Sequence, residues 1–373
     1  MVRHVTDRVD PETSGLERFL AGEHIPSNNL AITDWGVIGR DPIGPMFYKR
    51  FKPGHVLYVS RRTYLRKVAV PDFVGITGEK TFVLETKDPN VLLQEFLPFV
   101  MSAEVFHAYA VSNSRGSVNP YLNWGELARY EFDLPPLDEQ KRIADLLWAV
   151  ETNRQAAATT LACLSVARTK WTDEEVYRLG TYVIPFEEVW ACSPESGWSA
   201  RPVDEHTGRY VLSLAALGPE GYRRGNLKNV VDTSKTRGAT LRPGDLLISR
   251  ANTIDLVGRV GIFSEVRDDV SFPDTMMRLS LELHILPEFA AAVLSSTHGR
   301  KHMRRTAAGS ATSMVKINRR SLSRFQFPAP PLNRQRKVLD ELEKFKLAAG
   351  SAEDEIASLD SLKTTLLSKI FGE

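Results

Sequence analysis

Cysteine is scarce in this sequence: Cys163 and Cys192 are the only two in 373 residues, and they form no CxxC motif. This scarcity suits a reducing cytoplasm and excludes a zinc site built from cysteines. Long apolar runs are absent too, since no window approaches about 18 consecutive apolar residues, the length of a membrane-spanning helix. The polar start of the chain lacks the apolar stretch of a signal peptide. We therefore predict a cytoplasmic protein.

An excess of charge of either sign is also lacking. The 48 Lys and Arg residues are nearly balanced by 46 Asp and Glu residues, so the net charge of +2 identifies no partner. A basic face can still exist locally, because the anions can lie elsewhere on the surface. With 42% hydrophobic residues the chain can bury substantial cores, and its length predicts two or three domains.

What the sequence does contain is a long internal repeat. Residues 132–147 read FDLPPLDEQKRIADLL and residues 327–342 read FPAPPLNRQRKVLDEL. Earlier blocks match at slightly shorter offsets: FKPGHVLYVS at 51 matches LRPGDLLISR at 241, and EFLPFVMS at 95 matches EFAAAVLS at 288. A slowly drifting offset predicts a duplicated domain with loop insertions rather than a short repeat array. Residues 1–46 have no convincing partner in the second copy.

Each copy combines two kinds of segment. Short β-type runs broken by Pro and Gly, such as HVLYVS and DLLISR, predict strands and turns with short helices between them. The segments after Pro135-Pro136 and Pro330-Pro331 have a helical pattern, and proline suits the first turn of a helix. We therefore predict an α+β protein with a first α/β domain at 1–135, a helix at 136–175, a second α/β domain at 176–330 and a helix at 331–373.

The two predicted long helices share a heptad pattern. Seam residues recur at alternating intervals of four and three, which predicts a coiled coil. Two amphipathic helices that each pack on their own domain are the alternative, but the period shared by both copies favours helices that pack on each other. The apolar seam residues are Ile143, Leu147, Val150, Leu161 and Leu164 in the first helix and Val338, Leu342, Phe345, Ile356 and Leu359 in the second.

These features resemble the specificity subunits of type I restriction–modification systems. The resemblance rests on FKPGHVLYVSRRTYLRKVAVPDF, on LRPGDLLISR followed by GRVGIF, and above all on the repeated PPL–Gln–basic element before each long helix. It covers residues 47–373. The RLG-type opening present at Arg178-Leu179-Gly180 is missing from residues 1–46, which departs from the family pattern.

The resemblance implies two tandem target-recognition domains, related by a pseudo-twofold duplication and separated by helices that pair as an antiparallel coiled coil. It implies a non-catalytic subunit of phage defence, without cofactor or metal, that recognises a bipartite double-stranded DNA target. The expected partners are methyltransferase subunits, in two copies, and a restriction subunit. The helix residues Glu139, Gln140, Lys141 and Arg142 are expected to face such a partner.

Two other functions stay open from the residues alone. One is a recognition subunit of another modification-based phage-defence system. The other is a nuclease, because Pro71-Asp72 and Glu85-Thr86-Lys87 match the PD…ExK spacing, in which carboxylates hold Mg²⁺. The second copy does not keep this pattern. His298 and His302 would share a helix face, but the surrounding cations would repel a metal ion.

Contacts with DNA need cations for phosphates and forked side chains for base edges. Two short loops at matching positions, Ser114–Ser117 and Gly309–Thr312, are small enough for backbone N–H groups to approach a phosphate. The predicted DNA-contacting residues are Lys49, Arg50, Arg61, Arg62, Arg66, Arg115 and Ser117 in the first domain and Arg209, Arg223, Arg224, Arg250, Asn252, Arg300, Lys301, Arg304, Arg305, Ser310, Thr312 and Lys316 in the second.

Overall fold

The computed structural model of the chain describes residues 1–178, 182–311 and 314–372. The chain divides into two compact units. Unit 1 consists of Met1–Leu161 and Ser351–Glu373, and unit 2 consists of Ala162–Gly350. Within the described ranges, no helix is both long and apolar enough to cross a membrane.

The first part of the chain contains short strands and short helices, followed by one long helix. The strands are β1 (Val2–His4), β2 (Arg18–Leu20), β3 (Gly36–Val37), β4 (Phe47–Phe51), β5 (Val56–Val59), β6 (Val68–Ala69), β7 (Gly75–Gly78) and β8 (Thr81–Thr86). The helices are α1 (Leu97–Val100), α2 (Glu104–Ser112), α3 (Trp124–Leu127) and α4 (Leu137–Arg178), with a 3-10 turn at Thr63–Leu65.

Two sheets order the strands of unit 1, β1-β8-β5-β6 and β3-β2-β7-β4. Strands β5 and β8 are the two inner strands of the first sheet, and nearly all of their residues are buried, as a continuous apolar run predicts. Tyr58 and Phe82 of these strands pack with Phe96, Phe99 and Phe106 in the main core. The burial of such large aromatic side chains contributes much of the stability of the unit.

The second part of the chain repeats this organisation. Its strands are β9 (Val183–Pro185), β10 (Glu195–Ser196), β11 (Tyr210–Leu212), β12 (Leu217–Gly218), β13 (Gly221–Tyr222), β14 (Leu227–Asn229), β15 (Leu246–Ser249), β16 (Ala251–Asn252), β17 (Val260–Ile262), β18 (Val270–Ser271), β19 (Met276–Leu279), β20 (Ala308–Ala311), β21 (Met314–Lys316) and β22 (Gln326–Pro328). Its helices are α5 (Ser234–Gly238), α6 (Pro287–Ser295), α7 (Thr297–Thr306), α8 (Arg319–Ser323) and α9 (Leu332–Phe371), with 3-10 turns at Phe186–Val189 and Leu214–Ala216.

The two units share one strand order. The sheet β10-β19-β15-β17 of unit 2 repeats the order β1-β8-β5-β6 of unit 1. A parallel pair, β11 with β18, likewise repeats the pair β2 with β7. Strands β1 and β2 lie within residues 1–46, which have no partner in the sequence repeat. The structural correspondence reaches further than the sequence, because strand pairing is carried by the backbone and requires little side-chain identity.

In unit 1 the first part of α4 packs against the last part of α9 in the opposite direction. Glu151 forms an ion pair with Lys363, and Arg154 forms one with Asp360. Residue numbers therefore rise along one helix as they fall along the other. Leu367 of α9 also joins the main core of the unit. The packing is antiparallel.

In unit 2 the second part of α4 packs against the first part of α9. The rings of Trp171 and Phe345 have centroids 6.0 Å apart. Arg168, at a seam position, instead forms two hydrogen bonds of 2.6 and 2.9 Å with the carboxylate of Glu220. The predicted apolar seam residues are buried or half-buried throughout both helices, whereas Val166, outside the seam, is 69% exposed.

The glutamine of the repeated PPL–Gln element has a structural role. Gln140 is 1% exposed. Its Oε1 accepts a hydrogen bond of 2.9 Å from the N–H of Leu93, and its Nε2 donates to the carbonyls of Val91 at 3.0 Å and Pro135 at 2.9 Å. One side chain thus satisfies three backbone groups and ties the start of α4 to its domain.

Gln335 makes the same contacts in unit 2. Its Oε1 accepts from the N–H of Leu286, and its Nε2 donates to the carbonyls of His284 and Pro330, each at 2.8 Å. This explains why the motif occurs twice. It also corrects the prediction that Gln140 faces a partner, because a side chain held in this way is committed to its own domain.

Candidate nucleic-acid interface

In unit 1 a hairpin carries the first of the two predicted loops. Arg115 and Tyr121 exchange N–H···O hydrogen bonds of 2.9 Å in both directions, and Tyr121 also forms a β-bridge with Arg61. All three side chains are exposed. The hairpin therefore brings two cations that are distant in the sequence beside one exposed aromatic ring.

The arginines of this hairpin are anchored by single contacts. Nε of Arg62 donates to Oδ1 of Asn119 at 2.7 Å, and Nη2 of Arg115 donates to the carboxylate of Glu126 at 2.6 Å. A guanidinium carries five N–H donors, so both arginines keep donors for a ligand. Their positions are fixed while their outer edges face solvent.

Unit 2 contains the same hairpin in a more regular form. Strand β21 pairs with both β16 and β20, so that Ala251 and Ala308 lie opposite Lys316. By the offset of the repeat, Lys316 takes the place of Tyr121. The two units thus present one hairpin geometry with different side chains.

The second predicted loop is a strand in the structure. Residues Ala308–Ala311 form β20, because they pair with β21. Gly309 packs so closely that a Cβ atom there would lie 2.7 Å from the carbonyl oxygen of Met314. The prediction of an open loop is therefore wrong for β20. The predicted contacts of Ser310 and Thr312 lie outside the described side chains, as do Leu179 and Gly180 of the RLG-type opening.

Two predicted DNA-contacting cations are buried among carbonyl oxygens, which corrects the prediction for them. Nζ of Lys49 donates to the carbonyls of Glu79 at 2.7 Å and Thr81 at 2.9 Å, and burial lowers its pKa to about 8. Arg209 is 8% exposed and donates to the carbonyl of Asp268 at 2.6 Å. Neither side chain can reach a phosphate without leaving its own carbonyl partners.

Arg300 and Asn252 also have internal roles. Arg300 donates to the carbonyls of Val257 at 2.7 Å and Asp255 at 2.8 Å, which shapes the loop between β16 and β17. Asn252 is 7% exposed, and its Oδ1 accepts a hydrogen bond from the N–H of Thr253. We correct the prediction for these two residues as well.

The remaining predicted residues stay accessible. Arg66 is half-buried and is paired with Glu104 at 2.5 Å. Arg50 and Arg250 are half-buried. The exposed members are Arg61, Arg62, Arg115 and Ser117 in unit 1 and Arg223, Arg224, Lys301, Arg304, Arg305 and Lys316 in unit 2.

Sequence reasoning missed three residues beside these sites, Lys80, Tyr121 and Arg259. Nζ of Lys80 lies 5.6 Å from the ring centroid of Tyr121, which places a further cation at the hairpin. Tyr121 could have been found as the residue that the repeat aligns with Lys316. Arg259 lies in the GRVGI block, where the repeat is visible and its charge could have been noted.

The geometry gives no support to the nuclease alternative. Glu85 of the PD…ExK pattern is bound by Arg3 through two hydrogen bonds of 2.9 and 2.6 Å. Nε2 of His302 contacts the carbonyl of Ser321 at 2.8 Å, and the ring of His298 lies 4.0 Å from that of Tyr177. Across the part of the chain that the structure describes, no three His, Cys, Asp or Glu side chains are grouped as metal ligands.

Comparisons with known proteins find a matching family model and similar folds. Residues 46–160 match the family model of the type I restriction modification DNA specificity domain. A chain of the structure described as "structural basis underlying complex assembly and conformational transition of the type I R-M system" is 17% identical, with a TM-score of 0.58 over 99% of this chain and 96% of that chain. The type I restriction-modification system S subunit from M. genitalium is 13% identical, with a TM-score of 0.54 over 100% and 96%. No curated protein sequence matches this chain.

Proposed function

We propose that this chain, a DNA specificity subunit of the type I restriction–modification class, recognises a target made of two separated parts and reads one part with each unit. The observation that carries the proposal is the hairpin that recurs beside the same strand in both units, with exposed cations in each. The recognition domains would comprise residues 1–135 and 176–330. The helices at 136–175 and 331–373 would be the spacers of the subunit.

The residues of the two hairpins would have two roles, contact with phosphates and contact with bases. Arg61 and Arg115 in unit 1, and Lys316 in unit 2, would bind phosphates. Phosphate contacts fix position but carry no sequence information. Discrimination would come from forked donors such as Arg62, because a bidentate arginine distinguishes guanine at its major-groove edge.

The same proposal assigns the partners of the chain. Two methyltransferase subunits and a restriction subunit would bind the complex, and DNA would be double-stranded. Such subunits could contact the exposed residues Lys141 and Arg142 in unit 1 and, separately, the exposed apolar side chains of Val166 and Leu347 in unit 2. The chain itself would contribute recognition and no catalysis, in the cytoplasm and without a cofactor.

Selection of bound duplexes from a random DNA library by the purified chain tests this function. We expect two short conserved blocks separated by a gap of constant length. The substitution Arg62→Ala should weaken enrichment of one block and leave the other unchanged, because discrimination by unit 1 would depend on this forked donor. Enrichment of one uninterrupted block, or Mg²⁺-dependent cleavage of the duplex by the chain alone, would contradict the proposal.

A further inference from the structure

Unit 2 contains a cluster of arginines on three neighbouring segments, outside the hairpin. Arg223 directly follows β13, Arg259 lies just before β17, and Arg304 lies in the last turn of α7. Arg223 and Arg304 are exposed and Arg259 is half-buried. The cluster therefore opens to solvent.

Two internal contacts fix the shape of the cluster. Arg300 of α7 donates to the carbonyls of Asp255 and Val257 and so holds the loop that carries Arg259. Arg223 lies against Gly218, where a side chain would collide with its guanidinium. Contacts with the backbone thus position the accessible arginines, and contacts between their guanidinium groups do not.

The anions near the cluster are too few to balance it. Glu220 is bound by Arg168 through both carboxylate oxygens. Asp255 contacts Arg304 at 3.4 Å, and its side chain is 77% exposed. Among the residues that the structure describes, these two carboxylates thus face five arginines, which leaves an excess of three positive charges: Arg168, Arg223, Arg259, Arg300 and Arg304.

Burial and nearby cations both act on the half-buried Arg259 and the buried Arg300. Nε of Arg259 is buried without a hydrogen-bond partner among the described residues. Burial is the main cause of the lowered pKa of Arg259, and repulsion from Arg304 lowers it further. The pKa of Arg300 is lowered to about 10, mainly by burial and further by repulsion from Arg259 and Arg304. An anion bound here would relieve like-charge repulsion and supply missing acceptors.

We propose that Arg223, Arg259 and Arg304 form a phosphate-binding site that takes a backbone phosphate of DNA, a proposal that rests on the function proposed above. Guanidinium groups bind phosphate oxygens in bidentate geometry. Lys301 and Arg305, which are exposed on α7, add further cations beside the site. An acidic protein surface is the alternative ligand, since it would offer carboxylates. Its charges lack the regular spacing of phosphates, which suits a row of cations on one helix.

The test measures the affinity of the full chain for a target duplex and for an unrelated duplex over a range of salt concentrations. The triple substitution R223A/R259A/R304A should weaken binding to both duplexes equally, by about tenfold or more. It should also lower the salt slope by roughly 0.9 for each phosphate that the variant no longer binds. Arg259→Lys should keep most of the slope, and Arg242→Ala, an exposed arginine on another cleft of unit 2, should change neither quantity.

A second variant, expected to bind DNA more tightly, distinguishes loss of the phosphate site from loss of folding in the triple variant. Asp255→Asn removes an exposed carboxylate, so it should tighten binding to both duplexes and steepen the salt slope. Unchanged affinity and slope in both variants, while the parent chain binds DNA, would overturn this site and leave the proposed function intact. Loss of partner-subunit binding, or of inorganic phosphate binding, with DNA affinity unchanged would overturn it too. A parent chain that binds no duplex would overturn the proposed function itself.

Discussion

Helices α2 of unit 1 and α7 of unit 2 take the same place in the order of elements but differ in charge. Each follows a short helix and precedes the hairpin described above. Helix α2 contains no Lys or Arg, whereas α7 contains Arg300, Lys301, Arg304 and Arg305. At matching positions unit 1 buries His107 and unit 2 buries Arg300. The fold therefore fixes where the hairpin lies, while each unit sets the charge around it.

The long helices show a second contrast. In unit 1 their contact includes the buried pair Glu151–Lys363, with side chains 6% and 9% exposed. In unit 2 the corresponding cation, Arg168, is paired with Glu220 outside the seam, and the contact is made by Trp171 and Phe345. The contact in unit 1 thus adds a buried ion pair to apolar packing, whereas the contact in unit 2 includes the aromatic pair Trp171–Phe345.

The largest effect is expected from breaking the buried pair. Lys363→Met leaves the carboxylate of Glu151 buried without its partner, which should lower the free energy of unfolding by about 3–5 kcal/mol. Urea unfolding measures the change. The double substitution Glu151→Leu/Lys363→Met should recover most of the loss, because a buried ion pair replaced by apolar side chains costs little. Equal stability of the single and double variants would contradict this account.

Acid should loosen unit 1 before unit 2. Burial, with smaller contributions from Arg66 and Lys363, lowers the pKa of His107 to about 4. In the unfolded chain this histidine titrates near its ordinary pKa of about 6.5. Between these values the unfolded chain binds the extra proton, so the free energy of unfolding falls with falling pH, by up to about 3 kcal/mol. His4, whose pKa burial also lowers to about 4, adds to the loss.

Amide hydrogen exchange at pH values of about 7 and about 4.5, on either side of the ordinary histidine pKa, measures this difference between the units. Protection should be lost first in unit 1, since Arg300 does not titrate in this range. His107→Leu should remove a large part of the pH dependence. Simultaneous loss of protection in both units, unaffected by this substitution, would contradict the assignment.

The two glutamines should have equal effects, because their contacts are the same. Gln140→Ala and Gln335→Ala each leave buried backbone groups unsatisfied, which should cost about 2 kcal/mol in the free energy of unfolding. Thermal or urea unfolding of the two variants is the comparison. Gln155→Ala, at a half-buried glutamine of α4, is the control and should change the free energy of unfolding by less than about 0.5 kcal/mol. A large effect at one motif glutamine and none at the other would show that the motif has different roles in the two units.

The smallest effect is expected from moving the charge of α7 onto α2. Val111 and Ser112 are exposed and correspond to Arg304 and Arg305 in the repeat. Val111→Arg/Ser112→Arg should strengthen binding to any duplex a few-fold and raise the salt slope by roughly one, with stability changed by less than about 0.5 kcal/mol. An unchanged slope would indicate that α2 lies away from DNA.

Much of the fold was predictable because the repeat and the heptad pattern are dense signals. The seam residues and the start of each long helix after its proline pair follow from local patterns. The strand order of residues 1–46 could not be predicted, because strands pair through backbone groups and the two copies share no recognisable sequence there. The predictions for Lys49 and Arg300 as surface cations were wrong, since the sequence does not show that carbonyl oxygens surround them.

Base-resolved sequencing of methylated DNA tests the central claim most directly. Genomic DNA from cells that carry the gene would be compared with DNA from cells that lack it. Our account predicts modified sites that depend on this chain and consist of two short blocks with an unspecified gap of constant length between them. Modified sites that are short and continuous, or that are unchanged when the gene is absent, would contradict it.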